Sequence, residues 1–173
     1  MAKVWDLPTL YVCENSLCGI GTRIDRSTAV IDQYKGVSGY DIPSAQVDGQ
    51  DIDKVYEAAQ LAVEHVRSGK GPYFLELMTY RYRGHSMSDS NAYRAKEEER
   101  MWGKRDPIII LRDRLIEAGE ISLDEYSAMD TEILEEIETD VIKFAEESPE
   151  PSAELLQKYV LAENDPWVHG GAK

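Results

Sequence analysis

The sequence PYFLELMTY, at residues 72–80, is a dense apolar run that decides the fold of this chain. It follows the turn signals of Ser68–Pro72, and a short apolar run between such signals predicts a buried strand. Upstream, apolar residues recur at helical spacing and predict an amphipathic helix: Val55, Ala58, Ala59, Ala62, Val63 and Val66. Another strand is predicted at Ala45–Val47, where the turn signal Asp48-Gly49 ends it. Strand, helix and strand in this order predict a parallel α/β sheet.

A further strand is predicted nearer the N-terminus, at residues 7–15, LPTLYVCEN, and we expect it to be short and buried. The segment after it, SLCGIGTR at residues 16–23, predicts a loop. Cys13 and Cys18 are the only cysteines of the chain. Two thiols without a larger set of ligand residues are typical of reduced structural cysteines in an intracellular protein.

The second half of the chain is predicted to be helical. Asp106-Pro107 is a typical start of one helix, and Gly119 a typical end. Ser122 and Glu125 form a capping-box pattern at the start of a longer helix. That helix carries one apolar stripe: Tyr126, Met129, Ile133, Ile137, Val141 and Phe144.

Negative charge is concentrated in this second half. Residues 1–94 hold 12 acids and 10 Lys/Arg, a net charge of −2, whereas residues 95–173 hold 21 acids and 9 Lys/Arg, a net charge of −12. An acidic surface repels nucleic acid and anionic membranes, so neither is an expected partner. No apolar run of the sequence approaches the roughly 18 residues that a membrane span needs. A solvated helical surface is a simpler explanation of the acidity than a site for a basic partner.

The segment Thr79–Arg94, TYRYRGHSMSDSNAYR, carries the strongest functional signal. It holds four basic residues and one acid in an otherwise acidic chain: Arg81, Arg83, His85, Arg94 and Asp89. Arginines at a strand end bind phosphate or carboxylate groups, and a histidine in a polar loop exchanges protons near neutral pH. From the residues alone, a surface loop with incidental charge remains an equal alternative.

A second candidate site follows the strand at residues 7–15. In open α/β sheets, ligands bind at the C-terminal ends of the strands. Ser16 and the loop with Gly19 and Gly21 offer oxygen atoms to a hard cation such as Mg²⁺. A Gly-x-Gly pair without a complete phosphate-binding pattern does not establish such a site.

Five segments occur in the order and spacing of one protein family: WDLPTLYVCENSLCGIGT, VDGQDIDKVYEAA, GKGPYFLELMTYRYRGHSMSD, YRAKEE and RDPI. They resemble the alpha subunits of the decarboxylating component of pyruvate dehydrogenase complexes, and YRGHSMSD is the most specific of them. The resemblance implies an α/β fold, namely a partial thiamin-diphosphate-binding fold with a parallel sheet and flanking helices, followed by a helical C-terminal region. Residues 1–94 are then the C-terminal half of that α/β domain, with an active-site loop at 79–94, and residues 95–173 are the helical acidic region.

The resemblance also implies a function. Family members decarboxylate pyruvate oxidatively with thiamin diphosphate and Mg²⁺, and pass the acetyl group to a lipoyl group. The implied partners are the beta subunit, a second alpha subunit and the lipoyl domain of the dihydrolipoyl acetyltransferase. Related alpha subunits of acetoin and branched-chain 2-oxoacid dehydrogenases share the architecture and are the alternative. A different alternative is a non-catalytic fragment whose acidic helices serve subunit interaction.

Site residues are carried over at the positions that match the family's motifs. His85 is similar to the loop histidine that lies at the cofactor and assists transfer to the lipoyl group. Ser86 is similar to the serine that a kinase phosphorylates in mitochondrial members. Ser16 occupies the position of a Mg²⁺ ligand that is an asparagine in the family, and Cys18 the position that supplies a backbone carbonyl to the metal; Asn15 or a bridging water are alternatives to Ser16.

Two further features of the resemblance shape our expectations. The family's other two phosphorylation sites fall near Ala92 and at Arg23, which cannot be phosphorylated, so we expect a cytoplasmic bacterial enzyme, with the mitochondrial matrix as the alternative. The Gly-Asp-Gly that opens the family's thiamin motif does not occur before Ser16. Since Met1-Ala2 coincides with an internal Met-Ala of the family, we expect the chain to be the C-terminal half of a longer subunit, and to be inactive alone.

Overall fold

The computed structural model describes residues 1–89, 93–158 and 160. Contacts within the chain group it into two compact units, Met1–Ile121 and Ser122 onward, and each is described separately below. The first unit thus includes two helices beyond residue 94. The functional division expected from the sequence, with a boundary after residue 94, stays a prediction.

A three-stranded parallel sheet forms the centre of the first unit. In chain order the strands are β1 (Leu10–Asn15), β2 (Cys18–Gly19), β3 (Thr22–Arg23), β4 (Ser44–Asp48) and β5 (Tyr73–Met78). The sheet order is β1-β5-β4, and β5 pairs in parallel with both neighbours. The parallel α/β sheet predicted from the sequence is therefore confirmed, with the run PYFLELMTY supplying its central strand.

The helices of the first unit are α1 (Ile24–Ser27), α2 (Gln33–Gly36) with a 3₁₀ turn at Val37–Tyr40, α3 (Ile52–Arg67), α4 (Lys96–Gly103) and α5 (Pro107–Glu117). The apolar stripe of α3 faces the sheet, because Ala62 and Val66 are buried with Leu75 of β5. Asp106 N-caps α5 by accepting from the Ile108 amide at 2.9 Å. The helix expected from the spacing of residues 55–66 and the cap expected at Asp106 are both confirmed.

An ion pair links the start of α3 to α5. The Arg114 guanidinium donates to both carboxylate oxygens of Asp51 at 3.2 Å. These hydrogen bonds, with a smaller contribution from Lys54, lower the pKa of Asp51 to about 2. Asp51 therefore remains ionised at the start of α3, where its negative charge interacts favourably with the helix dipole.

β1 differs from the expectation in its burial. The strand lies where it was predicted, but Tyr11 is 42% and Val12 52% exposed. The reason is that β1 has a hydrogen-bonded neighbour, β5, on one side only within the described residues. Strands of parallel sheets are usually covered on both faces, so the apolar sequence of β1 suits a more covered position than it has within the described residues.

The predicted loop at residues 16–23 contains a small antiparallel hairpin. Cys18 pairs with Arg23 and Gly19 with Thr22. Ile20 at its tip adopts a left-handed backbone with φ of 53°. Sequence patterns did not reveal this hairpin because each strand has two residues and neither alternates in polarity.

The second unit is helical. It contains α6 (Leu123–Glu136), a π-helical turn (Ile137–Val141), α7 (Ile142–Glu147) and α8 (Leu155–Lys158). The predicted capping box at its start is confirmed, with the Glu125 amide donating to Ser122 Oγ at 3.2 Å and the Ser122 amide to Glu125 Oε2 at 2.8 Å. None of the helices in the described residues is long and apolar enough to cross a membrane.

Candidate functional site

The two candidate segments leave the sheet at the same edge. Asn15 at the end of β1 is in register with Met78 at the end of β5. The Thr79 amide, the first of the basic loop, donates to the Asn15 carbonyl at 3.0 Å. The segment that begins with Ser16 and the loop that begins with Thr79 are therefore adjacent at their bases, as expected for parallel strands.

A cavity of about 450 Å³ lies at the end of β1. Its wall is formed by residues 13–19, by the hairpin and α1, and by Gln33 at the start of α2. Ser16 and Cys18, the predicted metal positions, both line it, and both are half-buried. Among the described residues that line it there is neither a lysine nor an arginine.

The turn after β1 is held in a specific conformation by Asn15. Asn15 is 6% exposed, and its Oδ1 accepts from the Leu17 amide at 3.0 Å. Leu17 has a left-handed backbone with φ of 64°, which is unusual for a leucine. Its carbonyl in turn accepts from the Ile24 amide at 2.9 Å. The path of the chain through Ser16 and Cys18 is therefore determined by side-chain and backbone hydrogen bonds on both sides.

Glu76 of β5 is a residue of this site that the sequence patterns did not reveal. Its side chain is fully buried, and its carboxylate accepts hydrogen bonds from the Asn15 side chain and from three other groups near the cavity. The available signal was one acid within the apolar run PYFLELMTY. A buried acid is uncommon unless it is paired or hydrogen-bonded, so an acid at that position was a sign of a polar network.

Cys13 also lines the cavity. Burial raises the pKa of its thiol, and the nearby Glu76 and Glu14 carboxylates raise it further. Cys13 and Cys18 are both free thiols. A raised pKa keeps Cys13 protonated and weakly nucleophilic at neutral pH, which fits a structural role.

The basic loop is organised around Asp89. Its Oδ2 accepts from the His85 amide at 3.1 Å, from the Tyr93 hydroxyl at 2.8 Å, and lies 3.0 Å from His85 Nδ1. A carboxylate can only accept hydrogen bonds, so Nδ1 carries a proton and Nε2 is the nitrogen that remains free to accept one in the neutral ring. The bond to Asp89 also raises the pKa of Tyr93. His85 is 45% exposed at its side chain and thus accessible from outside the loop.

Two of the loop arginines serve the loop itself. Arg94 is 8% exposed, and its guanidinium lies over the rings of Tyr80 and Tyr93 at 5.1 and 5.3 Å. It also donates to the Arg81 carbonyl. Arg81 donates to the carbonyls of Arg83 and Gly84. The arginines expected to bind an anionic ligand are therefore partly used to shape the loop; Arg83 is exposed.

Two of the three positions that the resemblance compares with phosphorylation sites lie in the described residues, Ser86 and Arg23. Ser86 is exposed, with its Oγ 2.9 Å from Ser88 Oγ. Arg23 of the hairpin forms an ion pair with Glu98 of α4 at 3.0 Å. Ala92 lies outside the described residues.

The described residues contain no group of three or more His, Cys, Asp or Glu side chains that could hold a metal ion. A cation in the cavity would therefore depend mainly on hydroxyl, amide and carbonyl oxygens and water, as Mg²⁺ often does, with Glu14 as the carboxylate among the described lining residues. Ser16 and Cys18 as metal positions stay a prediction.

Residues 1–154 match the family model described as "Dehydrogenase E1 component". The chain belongs to this family. It is 43% identical over 174 aligned residues to the alpha subunit of the pyruvate dehydrogenase E1 component, testis-specific mitochondrial form, of Rattus norvegicus, and equally to the somatic mitochondrial form of Homo sapiens. It is 42% identical to the mitochondrial alpha subunit of Sminthopsis macroura. These alignments cover 99% of this chain but 44%, 44% and 47% of the relatives.

The chain therefore spans about half the length of the curated relatives that it matches. Family membership confirms the resemblance found in the sequence to alpha subunits of this dehydrogenase component. It also agrees with the observed parallel sheet and flanking helices, which form part of the α/β fold expected for a dehydrogenase E1 component.

Proposed function

We propose that this chain contributes one side of the active site of a thiamin-diphosphate-dependent pyruvate dehydrogenase, as part of its alpha subunit. The observation that carries the proposal is the convergence of two segments at one sheet edge: the cavity-lining turn at Ser16 and the loop that presents His85. The family implies dependence on thiamin diphosphate, and the names of the relatives support pyruvate as the substrate.

The cavity at the end of β1 fits the metal-binding part of such a site. The Ser16 hydroxyl and the Cys18 carbonyl would hold Mg²⁺, which prefers oxygen ligands and retains several waters. The lining residues that the structure describes include no lysine or arginine, so the negative charge of a diphosphate would be balanced mainly by the cation and by groups beyond this cavity. When bound, thiamin diphosphate supplies the carbanion chemistry that decarboxylation of a 2-oxoacid requires.

His85 would hold and transfer a proton during acetyl transfer to the lipoyl group. Asp89 fixes the proton on Nδ1 and orients the ring, so that Nε2 faces the reaction partner as base or, once protonated, as acid. The Asp89 contacts to the loop backbone and to Tyr93 keep this orientation before substrate arrives. A histidine that is preoriented in this way loses less entropy when the reaction begins.

Ser86 is proposed as a regulatory position. A phosphate there would add about −1.5 to −2 units of charge. The Ser86 carbonyl already accepts from the Asp89 amide at 3.1 Å, so this charge would repel the nearby Asp89 carboxylate and disturb the contacts that orient His85.

The assembly we propose contains the beta subunit, a second alpha subunit and, during acetyl transfer, the lipoyl domain of the acetyltransferase. The relatives named above are mitochondrial proteins. This supports a location in the mitochondrial matrix over the bacterial cytoplasm that the two unphosphorylatable positions had led us to expect.

The replacement His85→Ala in the full enzyme assembly tests the proposed role. Acetyl transfer to the lipoyl domain should fall by about 100-fold or more, the usual contribution of a general acid or base, while the Kd for thiamin diphosphate with Mg²⁺ changes little. Met87→Ala is the matched control, because Met87 belongs to the same loop and is fully exposed. Equal losses of cofactor affinity and acetyl transfer in His85→Ala would refute the proposal.

A further inference from the structure

Glu76 is an acid at the centre of the apolar sheet. It lies on β5, the middle strand, between Leu75 and Leu77, and its exposure is 0%. An ionised carboxylate in such a place is costly unless hydrogen bonds replace its hydration. The position of Glu76 therefore calls for hydrogen-bond donors around its carboxylate.

Four donors surround the Glu76 carboxylate. Oε1 accepts from the Asn15 side-chain amide at 2.6 Å and from the Gln33 backbone amide at 3.2 Å. Oε2 accepts from the Tyr34 backbone amide and from the Gln46 side-chain amide, both at 3.1 Å. All four are donors, which is the pattern that an ionised carboxylate satisfies and a protonated acid does not.

The first oxygen controls the turn after β1. Because Glu76 binds the Nδ2 end of the Asn15 amide, the Oδ1 end points the other way and accepts from the Leu17 amide. Asn15 thus connects the central strand to the turn after β1, in which Leu17 has a left-handed backbone conformation. Ser16 and Cys18 lie on either side of Leu17, so their oxygen atoms depend on this linkage.

Two further contacts of the carboxylate reach the start of α2, whose first residue lines the same cavity. The backbone amides of Gln33 and Tyr34 are the first of α2, where unpaired amides favour a negative charge. Gln33 itself lines the cavity. One buried carboxylate therefore joins two walls that are separated by 17 residues in sequence, from Ser16 to Gln33.

We infer that Glu76 is a positioning residue for the cation-binding cavity: through Asn15 and the start of α2 it fixes the distance between the two walls and the orientation of the Ser16–Cys18 turn. This inference rests on the proposed function, in which the cavity holds Mg²⁺. Partners that hydrogen-bond a metal ligand typically contribute 10- to 100-fold to metal affinity, and Glu76 acts on the segment from Ser16 to Cys18 through Asn15 and Leu17.

The test is Glu76→Gln in the full enzyme assembly. A glutamine has the same shape, but one carboxylate oxygen becomes an NH₂ group. In either orientation, that NH₂ faces one side-chain amide, which can turn to offer its oxygen, and one backbone amide, which cannot, so the Gln33 or the Tyr34 amide loses its acceptor. We expect the Kd for Mg²⁺, titrated calorimetrically with thiamin diphosphate in excess, to rise by about 10- to 100-fold.

Gln46→Met is the matched control. It removes one donor to Oε2 and lowers the stability of the same cluster, yet it leaves the link from Glu76 to Asn15 intact. The Kd for Mg²⁺ in this variant should stay within about threefold of the wild-type value. If Glu76→Gln gives no soluble assembly, Glu76→Asp takes its place, because it keeps the charge but is too short to reach both walls.

Hydrogen exchange provides a readout that needs no cofactor. Without Mg²⁺ or thiamin diphosphate, Glu76→Gln should speed amide exchange in residues 16–18 and 33–34, and Gln46→Met should leave residues 16–18 as in the wild type. Unchanged exchange at residues 16–18, or equal Mg²⁺ affinities of Glu76→Gln and Gln46→Met, would overturn the inference. Failure of the wild-type assembly to bind Mg²⁺ with thiamin diphosphate would instead refute the proposed function, whatever the exchange shows.

Discussion

At the scale of single residues, Gly84 determines whether Asp89 can organise the basic loop. A Cβ atom at Gly84 would lie 2.6 Å from Asp89 Cβ and 2.7 Å from its carboxylate carbon. These distances are far below normal van der Waals contact, so any side chain at this position would displace Asp89. Asp89, the main hydrogen-bonding partner of His85, therefore keeps its position only if residue 84 is a glycine.

The replacement Gly84→Ala is predicted to loosen the loop. Displacing Asp89 removes the acceptor of the His85 amide, and steric strain of this kind costs about 1–3 kcal/mol. Exchange of the His85 amide, followed by mass spectrometry or NMR, should accelerate by about tenfold or more, since about 1.4 kcal/mol corresponds to tenfold.

Gly21→Ala is the control for the loss of a glycine near the same loop. A Cβ there would meet its nearest neighbour, Tyr93 Cδ1, at 3.8 Å, an ordinary contact. Exchange at His85 should remain as in the wild type. A wild-type exchange rate in Gly84→Ala would show that the Asp89 contacts do not hold the loop.

The residues of the site differed in how far the sequence revealed them. His85 was found because its neighbours are basic in an acidic chain, which is a local signal. Glu76 was missed because its significance depends on donors at sequence distances of 61, 43 and 42 residues, at Asn15, Gln33 and Tyr34. Local composition cannot show which backbone amides will converge on a buried acid.

At the scale of elements, the end of α5 shows how a glycine at the right position stops a helix. Gly119 has φ of 72°, and its amide donates to the Ile116 carbonyl at 3.0 Å. The Glu120 amide donates to the Leu115 carbonyl at 2.9 Å. This pattern satisfies carbonyls at the helix end and requires the left-handed region that glycine adopts without strain.

The replacement Gly119→Ala is predicted to destabilise the first unit by about 1–2 kcal/mol, the cost of a left-handed conformation for an L-residue. Apart from its chain neighbours, no atom of the described residues lies within 4 Å of the added Cβ, so the loss reflects backbone conformation. Urea unfolding should show a lower midpoint.

Gly103→Ala is the matched variant, and it is expected to raise stability where Gly119→Ala lowers it. Gly103 is the last residue of α4, has no positive φ, and a Cβ atom added to it would also have no atom within 4 Å. Alanine is favoured over glycine in helices by about 0.5–1 kcal/mol, so the urea midpoint should rise. Equal changes in the two variants would contradict the assignment of the Gly119 effect to its φ angle.

Elements were predictable where the periodicity was long. The stripe of α3, the cap at Asp106 and the capping box at Ser122 follow local rules and appear where expected. The exposure of β1 could not be predicted from local rules, because the burial of a strand depends on the elements packed around it. The π-helical turn at Ile137–Val141 interrupts the helix that the continuous apolar stripe predicts. The stripe did not reveal it, because a spacing of four residues fits both an α-helix and a π-helix.

At the scale of the whole molecule, the first unit has a small core for a sheet of this type. Its buried apolar residues are Ala62, Val66, Leu75 and Tyr80 within the part of the chain that the structure describes. Large apolar residues such as Tyr11 and Val12 remain exposed beside the open edge of β1. An open apolar edge favours pairing with a further strand, so this surface is suited to be covered in an assembly.

The 173-residue chain by itself is predicted not to bind thiamin diphosphate tightly. The alignments leave more than half of each relative named above without a counterpart in this chain, which covers 44–47% of their lengths. Within the described part of the chain, the cavity at Ser16 offers oxygen ligands for a cation but no lysine or arginine for a diphosphate. Phosphate groups bind weakly where neither positive side chains nor a series of backbone amides neutralises them. Calorimetric titration with cofactor and Mg²⁺ should give a Kd well above micromolar.

The variant Ser16→Asn shows which of two causes dominates the weak binding in that titration: the missing diphosphate contacts or the short reach of the Ser16 side chain. An asparagine side chain reaches further than a serine and offers an amide oxygen, which suits Mg²⁺. If the missing diphosphate contacts dominate, Ser16→Asn in the isolated chain remains as weak as the wild type, whereas in the full assembly it strengthens Mg²⁺ binding. Micromolar binding of thiamin diphosphate by the isolated wild-type chain would contradict the prediction, because the cavity at the end of β1 would then suffice without any further part of the site.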